Sequence, residues 1–311
     1  MKHASHFRAR LALGALACSA LAVAWRTAPN SAPNSAAAPP QDAARVVAHP
    51  VAGTVSYLTG RGGNIGVCAG PEGVVLVDDQ FEPLAPQIRA TIAGLSKAPL
   101  RFLLNTHFHP DHTGGNPVFG SEVPILAQEN VRRRLQQPDR EGQPPAAAML
   151  EHGLPVITYE DGFRLYINGE TLRVVHYPAC HTDGDSVIFF ERANVVHMGD
   201  LFFSGRFPFV DLDSGGSVRG TIAAVASILD EVDDQTKIIP GHGPLSSKAD
   251  LAAYLEMLRT VQARVDAVTA EGATVEDMLR DDLFADYAEW GTGFVDTESF
   301  LRTLVRELSD E

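Results

Sequence analysis

The chain has 311 residues, of which 45% are hydrophobic and 21% are charged, and its formal net charge is −14. These values are ordinary for a globular protein and exclude a chain that is mainly disordered, collagen-like or coiled-coil. Acidic residues outnumber basic residues by 39 to 25, so the chain offers no general attraction for nucleic acid or for an anionic membrane surface. Three cysteines are too few for a disulfide scaffold.

The first 24 residues have the organisation of a secretory signal peptide. A basic start is followed by an apolar run, Leu11–Trp25, and Ala22-Val23-Ala24 has the small–any–small pattern of a cleavage site. The run is shorter than the roughly 20 residues that cross a membrane, so no stable membrane insertion is expected after cleavage. An uncleaved N-terminal anchor is the alternative. Cleavage would remove three basic residues and change the net charge from −14 to −17.

Residues 25–45 follow as a linker that contains Ala-Pro-Asn-Ser twice and then Ala-Ala-Ala-Pro-Pro. Such a tract cannot bury a core, so a single folded domain is expected at residues 46–311. A signal and a spacer together predict a periplasmic or secreted protein. A lipoprotein attached through Cys18 is the weaker alternative, because no Leu stands at the third position before it. Cys68 and Cys180 are expected to be buried apolar residues, although an oxidising compartment would let them pair.

In the first half of the folded part, buried strands precede and follow one clear helix. Leu84–Leu95 carries apolar residues at helical spacing, a short helix is expected at Thr113–Phe119, and a charged helix is expected at Glu129–Gln137. Short apolar runs bounded by turn residues indicate strands. These predicted strands are Val51–Leu58, Asn64–Ala69, Val74–Val77, Leu100–Leu104 and Val123–Ala127.

The second half begins with more strands and ends in helices. The dipeptide Asn168-Gly169 predicts a hairpin of Phe163–Ile167 with Thr171–Tyr177, and Ser217 is expected to cap a helix. The other predicted elements are strands at Val187–Phe190, Asn194–Met198 and Lys237–Ile239 and helices at Ser247–Ala270, Val275–Arg280 and Thr297–Leu308. Two sheets packed face to face, with helices outside, would explain why the strands are apolar runs. The fold class is therefore mixed α/β (α+β).

The segment Asn105–Asn116 concentrates side chains that bind metals. His107 and His109 lie just past the end of a predicted strand, where alternate residues face the same way, so both imidazoles can meet one metal. Asp111 and His112 follow at the turn into the next helix. Three imidazoles and a carboxylate within six residues suit a borderline cation such as zinc.

Three later segments each place one further candidate ligand after a predicted strand. His181 follows the hairpin, Asp200 follows the next strand pair, and His242 stands between two glycines that leave room for close backbone approach. Each of these residues alone would be an ordinary loop or cap residue. Their joint occurrence after the first segment indicates a metal centre.

These motifs resemble the metallo-β-lactamase superfamily. The resemblance rests on THFHPDH at 106–112, His181, Asp200 and PGHGP at 240–244, in the family's order and at strand ends. It covers approximately Val51–Pro244. It implies a four-layer αβ/βα sandwich, with the metals at one edge of the sheets.

The resemblance also implies a role for each candidate ligand. Two metal ions, zinc by resemblance, would be bridged by a carboxylate. The implied ligands are His107, His109 and His181 for one metal, Asp111, His112 and His242 for the other, and the bridging Asp200 between them. The donor types alone do not distinguish zinc from iron or manganese.

The implied activity is hydrolysis. Asp200 stands where zinc β-lactamases with a sulfur ligand have a cysteine, so the resemblance favours branches such as hydroxyacylglutathione hydrolases, lactonases and arylsulfatase-like enzymes. The lactamase subclass with only His and Asp ligands stays open. The prediction is a secreted dinuclear-zinc hydrolase that uses a metal-bound hydroxide, oriented by the catalytic Asp111, on an ester, lactone, lactam or related bond of a small molecule. The alternatives are an iron-dependent oxidoreductase resembling persulfide dioxygenases and a non-catalytic metal-binding protein.

Residues outside the ligand set are predicted to bind substrate or support the site. Arg206 could hold a substrate anion and Phe207 could form an apolar wall, whereas Phe209 is expected to anchor the same loop in the core. Asp78 ends a predicted strand, where it resembles a family residue that supports the ligand loops.

The signal and linker generate a first testable prediction. We expect the exported protein to begin near Trp25, because Ala22-Val23-Ala24 is the predicted cleavage site. N-terminal sequencing and intact-mass measurement of the protein recovered from the periplasm check this. A chain that begins at a lipid-modified Cys18 would contradict the prediction, as would a mass that still includes residues 1–24.

Overall fold

A computed structural model of the protein describes residues 45–138 and 142–310. The predicted signal peptide and all of the predicted linker except Arg45 lie outside the described residues. Two β-sheets with helices on their outer faces make up the described part. None of its helices combines the length and the apolar composition that a membrane crossing requires.

The first sheet has seven strands whose spatial order follows the sequence. They are β1 (Val47–Ala52), β2 (Val55–Thr59), β3 (Ile65–Gly70), β4 (Gly73–Val77), β5 (Leu100–Leu104), β6 (Ile125–Gln128) and β7 (Ile157–Tyr159). The first four strands pair antiparallel, and β4 to β7 pair parallel.

The second sheet has six strands in the spatial order β13-β12-β11-β10-β9-β8. They are β8 (Gly162–Ile167), β9 (Glu170–His176), β10 (Ser186–Phe190), β11 (Val195–His197), β12 (Lys237–Ile239) and β13 (Ser246–Ser247). Only β11 and β12 pair parallel among these described strands.

The α-helices of the described residues are α1 (Ala85–Leu95), α2 (Pro110–Thr113), α3 (Asn116–Phe119), α4 (Glu129–Leu135), α5 (Val218–Glu231), α6 (Lys248–Ala270), α7 (Val275–Arg280) and α8 (Thr297–Asp310). Segments of 3₁₀ helix lie at Glu82–Leu84, Gly199–Leu201, Leu212–Ser214 and Ala285–Thr292, and a single π-helical turn lies at Met149–Gly153.

Three apolar clusters define the layers. One lies between the two sheets and takes residues from both, such as Val75 and Leu104 from the first and Ile188 and Phe190 from the second. A second cluster joins the outer face of the first sheet to α1, and a third joins the outer face of the second sheet to α5, α6 and α8. The order helix, sheet, sheet, helix confirms the predicted four-layer αβ/βα sandwich.

Local turn chemistry was predicted correctly in two places. Asn168 and Gly169 both have positive φ, 58° and 69°, as the two-residue turn between β8 and β9 requires. The Ser217 hydroxyl accepts a 2.9 Å hydrogen bond from the Gly220 amide and caps α5. Both signals are short-range, and both hold in the folded chain.

Two elements that were each predicted as continuous are divided in the structure. The strand predicted at Val51–Leu58 is the end of β1 and all but the last residue of β2, separated by a turn at Gly53, where φ is +54°. The helix predicted at Thr113–Phe119 is replaced by α2 and α3, which are separated at Gly114-Gly115. The Gly115 amide donates to Asp79 Oδ1 at 2.9 Å and to the Gln80 carbonyl at 3.0 Å, which interrupts the helical hydrogen-bond pattern here.

Two described strands were not predicted. Strand β7 has three residues that are exposed or only half-buried at the edge of the first sheet, and β13 has only two residues. Neither has the length of apolar run that identifies a strand from sequence. Both are positioned by pairing with a neighbouring strand.

Cys68 and Cys180 are both free and buried. Burial raises the pKa of each thiol, so both are protonated apolar residues of the core clusters. This agrees with the expectation of buried residues and leaves neither as a reactive thiol.

Candidate metal centre

Every predicted metal ligand lies in the connection that follows the carboxyl end of a strand, with Asp111 and His112 in the short α2 and Asp200 in a 3₁₀ turn. The four connections follow β5, β9, β11 and β12 and carry, in that order, His107 to His112, His181, Asp200 and His242. Strand β5 belongs to the first sheet and the other three strands to the second, so both sheets contribute to the centre.

The structure brings all seven predicted ligands together in two groups. The ligand atoms of each group lie within 4.8 Å of one another, a spacing that lets one cation contact all of them. The first group is His107, His109, His181 and Asp200, and the second group is Asp111, His112 and His242. This division matches the two metal positions that the sequence motifs imply.

The carboxylate of Asp200 lies between the two groups. Its Oδ2 atom is 3.5 Å from His181 Nε2 in the first group and 3.4 Å from His242 Nε2 in the second. Its Oδ1 atom is 3.1 Å from His112 Nε2, also in the second group. One carboxylate therefore faces both donor groups, as expected of a bridging ligand.

Buried atoms without hydrogen-bond partners point to a cation. Among the described residues, His107 Nε2 is shielded from solvent and has no hydrogen-bond partner, and the shielded Asp200 Oδ1 makes no hydrogen bond beyond its ion-pair contact with His112 Nε2. Leaving such an atom unsatisfied costs about 1–3 kcal/mol, and a cation among the donors would satisfy both atoms. Imidazole and carboxylate donors suit zinc, iron or manganese. The residues present therefore fit a pair of divalent metal ions.

Two ligand imidazoles are oriented by bonds on their far side. His181 Nδ1 donates to the Phe209 carbonyl at 2.7 Å, which leaves Nε2 facing the cluster. His109 Nε2 donates to Asp211 Oδ2 at 3.0 Å, so its Nδ1 faces inward, 2.8 Å from His181 Nε2. Such bonds fix the tautomer and the ring orientation of a metal ligand. Asp211 was not predicted from the sequence.

Asp78 orders the other ligand loop, at the place where the sequence predicted support. Its Oδ2 atom accepts hydrogen bonds of 2.8 Å from His112 Nδ1 and from the Thr106 hydroxyl, and its Oδ1 atom accepts one of 2.8 Å from the Thr106 amide. The Thr106 hydroxyl in turn lies 3.0 Å from His107 Nδ1. One buried carboxylate thus positions a ligand of each group.

The electrostatics of the cluster favour metal binding. Burial lowers the pKa of His181 to about 4 and lowers that of His107 well below its usual range, so both rings are neutral and keep a free lone pair. For His242, the lowering by burial is outweighed by the neighbouring carboxylates, chiefly Asp200, and the pKa rises to about 9. Burial raises the pKa of Asp200, but the surrounding histidines hold it well below the usual value. The ionised carboxylates therefore draw positive charge into the cluster.

At two glycines the backbone packs directly against a ligand side chain. A side chain at Gly63 would lie 2.1 Å from the His112 ring, and one at Gly241 would lie 2.0 Å from Asp200 Oδ1. Gly241 is one of the two glycines around His242, where the sequence predicted a close backbone approach. Asn64 holds the same loop, because its side-chain amide donates to the carbonyls on either side of His242, Pro240 and Gly243, at 2.9 Å each.

A cavity of about 480 Å³ opens onto the cluster. Arg206, the predicted anion-binding residue, is exposed and lines it. Phe207 also lines it, but its side chain is only 1% exposed because its ring stacks on Phe300, with centroids 4.8 Å apart. Phe209, expected as the core anchor of this loop, lines the cavity with its ring centroid 5.8 Å from that of His109. Phe209 is therefore a wall beside the cluster, and Phe207 anchors the loop.

Other residues that line the cavity were not predicted from the sequence. Phe203 stacks on the His242 ring at a centroid distance of 5.1 Å, and Phe294 and Val295 reach the cavity from the segment before α8. Arg61 and Phe81 line it from the loops after β2 and β4. They are brought to the ligand loops only by the fold, so no local pattern identifies them.

Comparison with known proteins decides the family. A family model described as the metallo-beta-lactamase superfamily matches residues 58–246, more than half of the chain. The chain belongs to the metallo-β-lactamase superfamily. The resemblance stated from the motifs is therefore confirmed. Superfamily members are metal-dependent hydrolases.

Curated superfamily relatives are distant. A beta-lactamase-like protein 2 homolog from Caenorhabditis elegans is 23% identical and aligns over 75% of this chain and 72% of its own length. A hydroxyacylglutathione hydrolase from Rhodospirillum rubrum is 27% identical over 66% of this chain and 78% of its own length. A linear primary-alkylsulfatase from a Pseudomonas species is 23% identical, and this chain spans 48% of its length.

Solved structures of the superfamily share the fold. A metallo-beta-lactamase from Pontibacter korlensis superimposes with a TM-score of 0.57 and 19% identity, covering 69% of this chain and 99% of that chain. At this identity the likeness concerns the fold alone. The superfamily match ends at residue 246, so the helices after β13 and the segment that carries Phe294 lie beyond it.

Close packing at Gly241 generates a second prediction. We expect Gly241→Ala to lower the number of divalent metal ions bound per chain by about one, because the added carbon would collide with Asp200 Oδ1 and with the Gly199 carbonyl at 2.6 Å. Metal content by emission spectroscopy, with thermal unfolding by circular dichroism, measures the effect. Gly94→Ala is the control, because Gly94 lies in α1 with open space around it. Unchanged metal content in Gly241→Ala would contradict the assignment of Asp200.

Proposed function

We propose that this protein is an exported dinuclear zinc hydrolase that cleaves an ester, lactone, lactam or related bond of a small molecule. One observation carries the proposal: the buried Asp200 carboxylate lies between two groups of donors, and the ligand atoms of each group lie within 4.8 Å of one another. Membership of a superfamily of metal-dependent hydrolases supports the reaction class. The complete donor set argues against a non-catalytic relative.

The chemistry divides between the metal ions and the chain. Two divalent cations bound here would lower the pKa of a shared water toward neutrality and stabilise negative charge developing on the substrate. Asp111 is the more exposed carboxylate of the cluster, and its Oδ2 atom is 3.3 Å from His242 Nε2. Burial raises the pKa of Asp111, but His112 and His242 outweigh it and hold the group below its usual value. An ionised Asp111 facing the cavity can accept a hydrogen bond from the attacking water and orient it.

The walls of the cavity support the same reaction. Phe203 and Phe209 pack beside His242 and His109, so the donors open onto an apolar space. Such walls exclude bulk water and strengthen the electrostatic interactions inside. The volume of about 480 Å³ is in the range of pockets that take small molecules.

Export is proposed from the N-terminal sequence. The basic start, the apolar run and the Ala22-Val23-Ala24 site favour release into the periplasm or secretion. A small-molecule substrate is proposed as the partner, and the acidic composition disfavours nucleic acid. Export also disfavours a glutathione thioester, because glutathione is mainly cytosolic.

The division of ligands generates a third prediction. Protein purified without added metal should contain zinc at two ions per chain. His107→Ala and His242→Ala should each lower that number toward one and reduce turnover at least tenfold, since each removes one donor from a different group. Metal content and hydrolysis of a panel of lactams, lactones, aryl esters, sulfates and phosphodiesters measure both effects.

His152→Ala is the matched control, because His152 lies on the surface beside Glu151 and outside both groups. Predominant iron in the wild type would overturn the zinc proposal in favour of the oxidoreductase alternative. Two metals and full activity in either ligand variant would remove that histidine from the site.

Asp200 generates a fourth prediction. Asp200→Asn keeps the shape of the side chain but removes the negative charge between the cations, so we expect one metal to bind more weakly and turnover to fall at least tenfold. Asp200→Cys should be tolerated better than Asp200→Asn, because a thiolate is also an anionic metal ligand. Metal content, melting temperature and turnover are compared for the three proteins. If Asp200→Asn retained two metals and full activity, the carboxylate would not bridge.

A further inference from the structure

Two arginines at the mouth of the cavity have no carboxylate partner among the described residues. Arg61 and Arg206 are both exposed and both line the cavity. Arg61 lies over the Phe81 ring at 4.8 Å, and no ion pair joins either guanidinium to a carboxylate within residues 45–138 and 142–310. Elsewhere in this acidic chain arginines are commonly paired, as Arg134 is with Asp183 at 2.7 Å. Other described arginines, such as the exposed Arg259, also lack an ion pair, so what distinguishes Arg61 and Arg206 is that both line one cavity.

An aromatic side chain is exposed at the same mouth. Phe294 is 89% exposed, although it lines the cavity together with Val295. Its ring lies 6.2 Å from Phe209, whose ring in turn lies 5.8 Å from His109. A row of rings thus leads from solvent to the candidate ligands. A single exposed apolar residue is unremarkable, but one that continues a cavity wall offers contact area to a ligand.

Arg206 and Phe294 are held side by side. The Trp290 carbonyl accepts a 2.9 Å hydrogen bond from the Phe207 amide, which ties the segment before α8 to the loop that carries Arg206. A side chain at Gly293 would lie 3.0 Å from Arg206 Cδ, so the stem of Arg206 packs on the backbone beside Phe294. The two residues therefore form one mouth site, here called the Arg206–Phe294 clamp.

We propose that the Arg206–Phe294 clamp binds amphiphilic anions, so that the substrate of this enzyme carries a carboxylate, sulfate or sulfonate next to an apolar group. The anionic group pairs with the Arg206 guanidinium, which matches the geometry of oxyanions, and Arg61 adds a second positive charge. The apolar group lies on Phe294 and Phe209. The chain as a whole carries net negative charge, so an anion at the mouth of the cavity is held by local positive charge. This inference rests on the proposed hydrolase function and specifies its substrate class.

Equilibrium binding tests the clamp without requiring turnover. The probes are 4-phenylbutanesulfonate and the uncharged 4-phenylbutanol, because a sulfonate is a weak metal ligand but pairs with guanidinium. Isothermal titration of the zinc-loaded, full-length protein should give a dissociation constant at least tenfold lower for the sulfonate. Arg206→Gln should abolish that preference, and Phe294→Ala should weaken both probes about fivefold.

Each variant has a matched control. Arg259 is an exposed arginine on α6 that lies away from the cavity, and Tyr166 is an aromatic residue that is exposed on β8. Arg259→Gln and Tyr166→Ala should leave both dissociation constants unchanged. Equal binding of the two probes by the wild type, or an undiminished preference in Arg206→Gln, overturns the inference.

A kinetic comparison separates this inference from the proposed function. The 4-nitrophenyl monoester of glutaric acid should be hydrolysed with a kcat/KM at least tenfold above that of 4-nitrophenyl pentanoate, and Arg206→Gln should remove the difference. Equal hydrolysis of both esters would support the hydrolase and overturn the clamp. Hydrolysis of no ester, lactone or lactam, with sulfonate binding still dependent on Arg206, would overturn the hydrolase while the clamp as an anion site stands.

Discussion

The apolar layer between the two sheets fixes the distance between strands that are far apart in the sequence. Strand β5 in the first sheet and β9, β11 and β12 in the second end at one edge of this layer, where backbone pairing stops and polar side chains can converge. Packed interiors tolerate little displacement, so the loops begin from nearly fixed points. The cluster of seven donors depends on that constraint, since no single loop contains more than four of them.

The polar cluster at this edge is stabilised by compensation of charge. Ionised Asp200 is buried among histidines that keep its pKa low, and Asp78 receives three hydrogen bonds from the loop that follows β5. A buried carboxylate without such partners would be strongly destabilising. Because four of the histidines, His107, His109, His112 and His181, are bonded on their far side, the lone pairs that face inward are the ones left for a cation. Hydrogen bonds within the chain therefore orient these donors without a cation.

The parts that could be predicted from sequence are those with local causes. The His107–His112 motif, the hairpin turn at Asn168 and the cap at Ser217 each act within a few residues, and all are present in the structure. Asp211 could not be identified, because its partner His109 is 102 positions away and one Asp in a loop carries no pattern. Strands β7 and β13 are too short to produce an apolar run. Phe209 was predicted to lie in the core but lines the cavity. Whether such a loop residue is buried depends on its neighbours in the folded chain, which the sequence does not reveal.

The segment before α8 lines the cavity but contributes no residue to either donor group. The metal donors all lie within residues 107–242, whereas Phe294 and Val295 lie after the superfamily match ends at residue 246. Substitutions, insertions or exchanges in this later segment can alter what enters the cavity without changing a single donor or its supporting bonds. The lining of the cavity mouth and the set of metal donors can therefore change independently of each other.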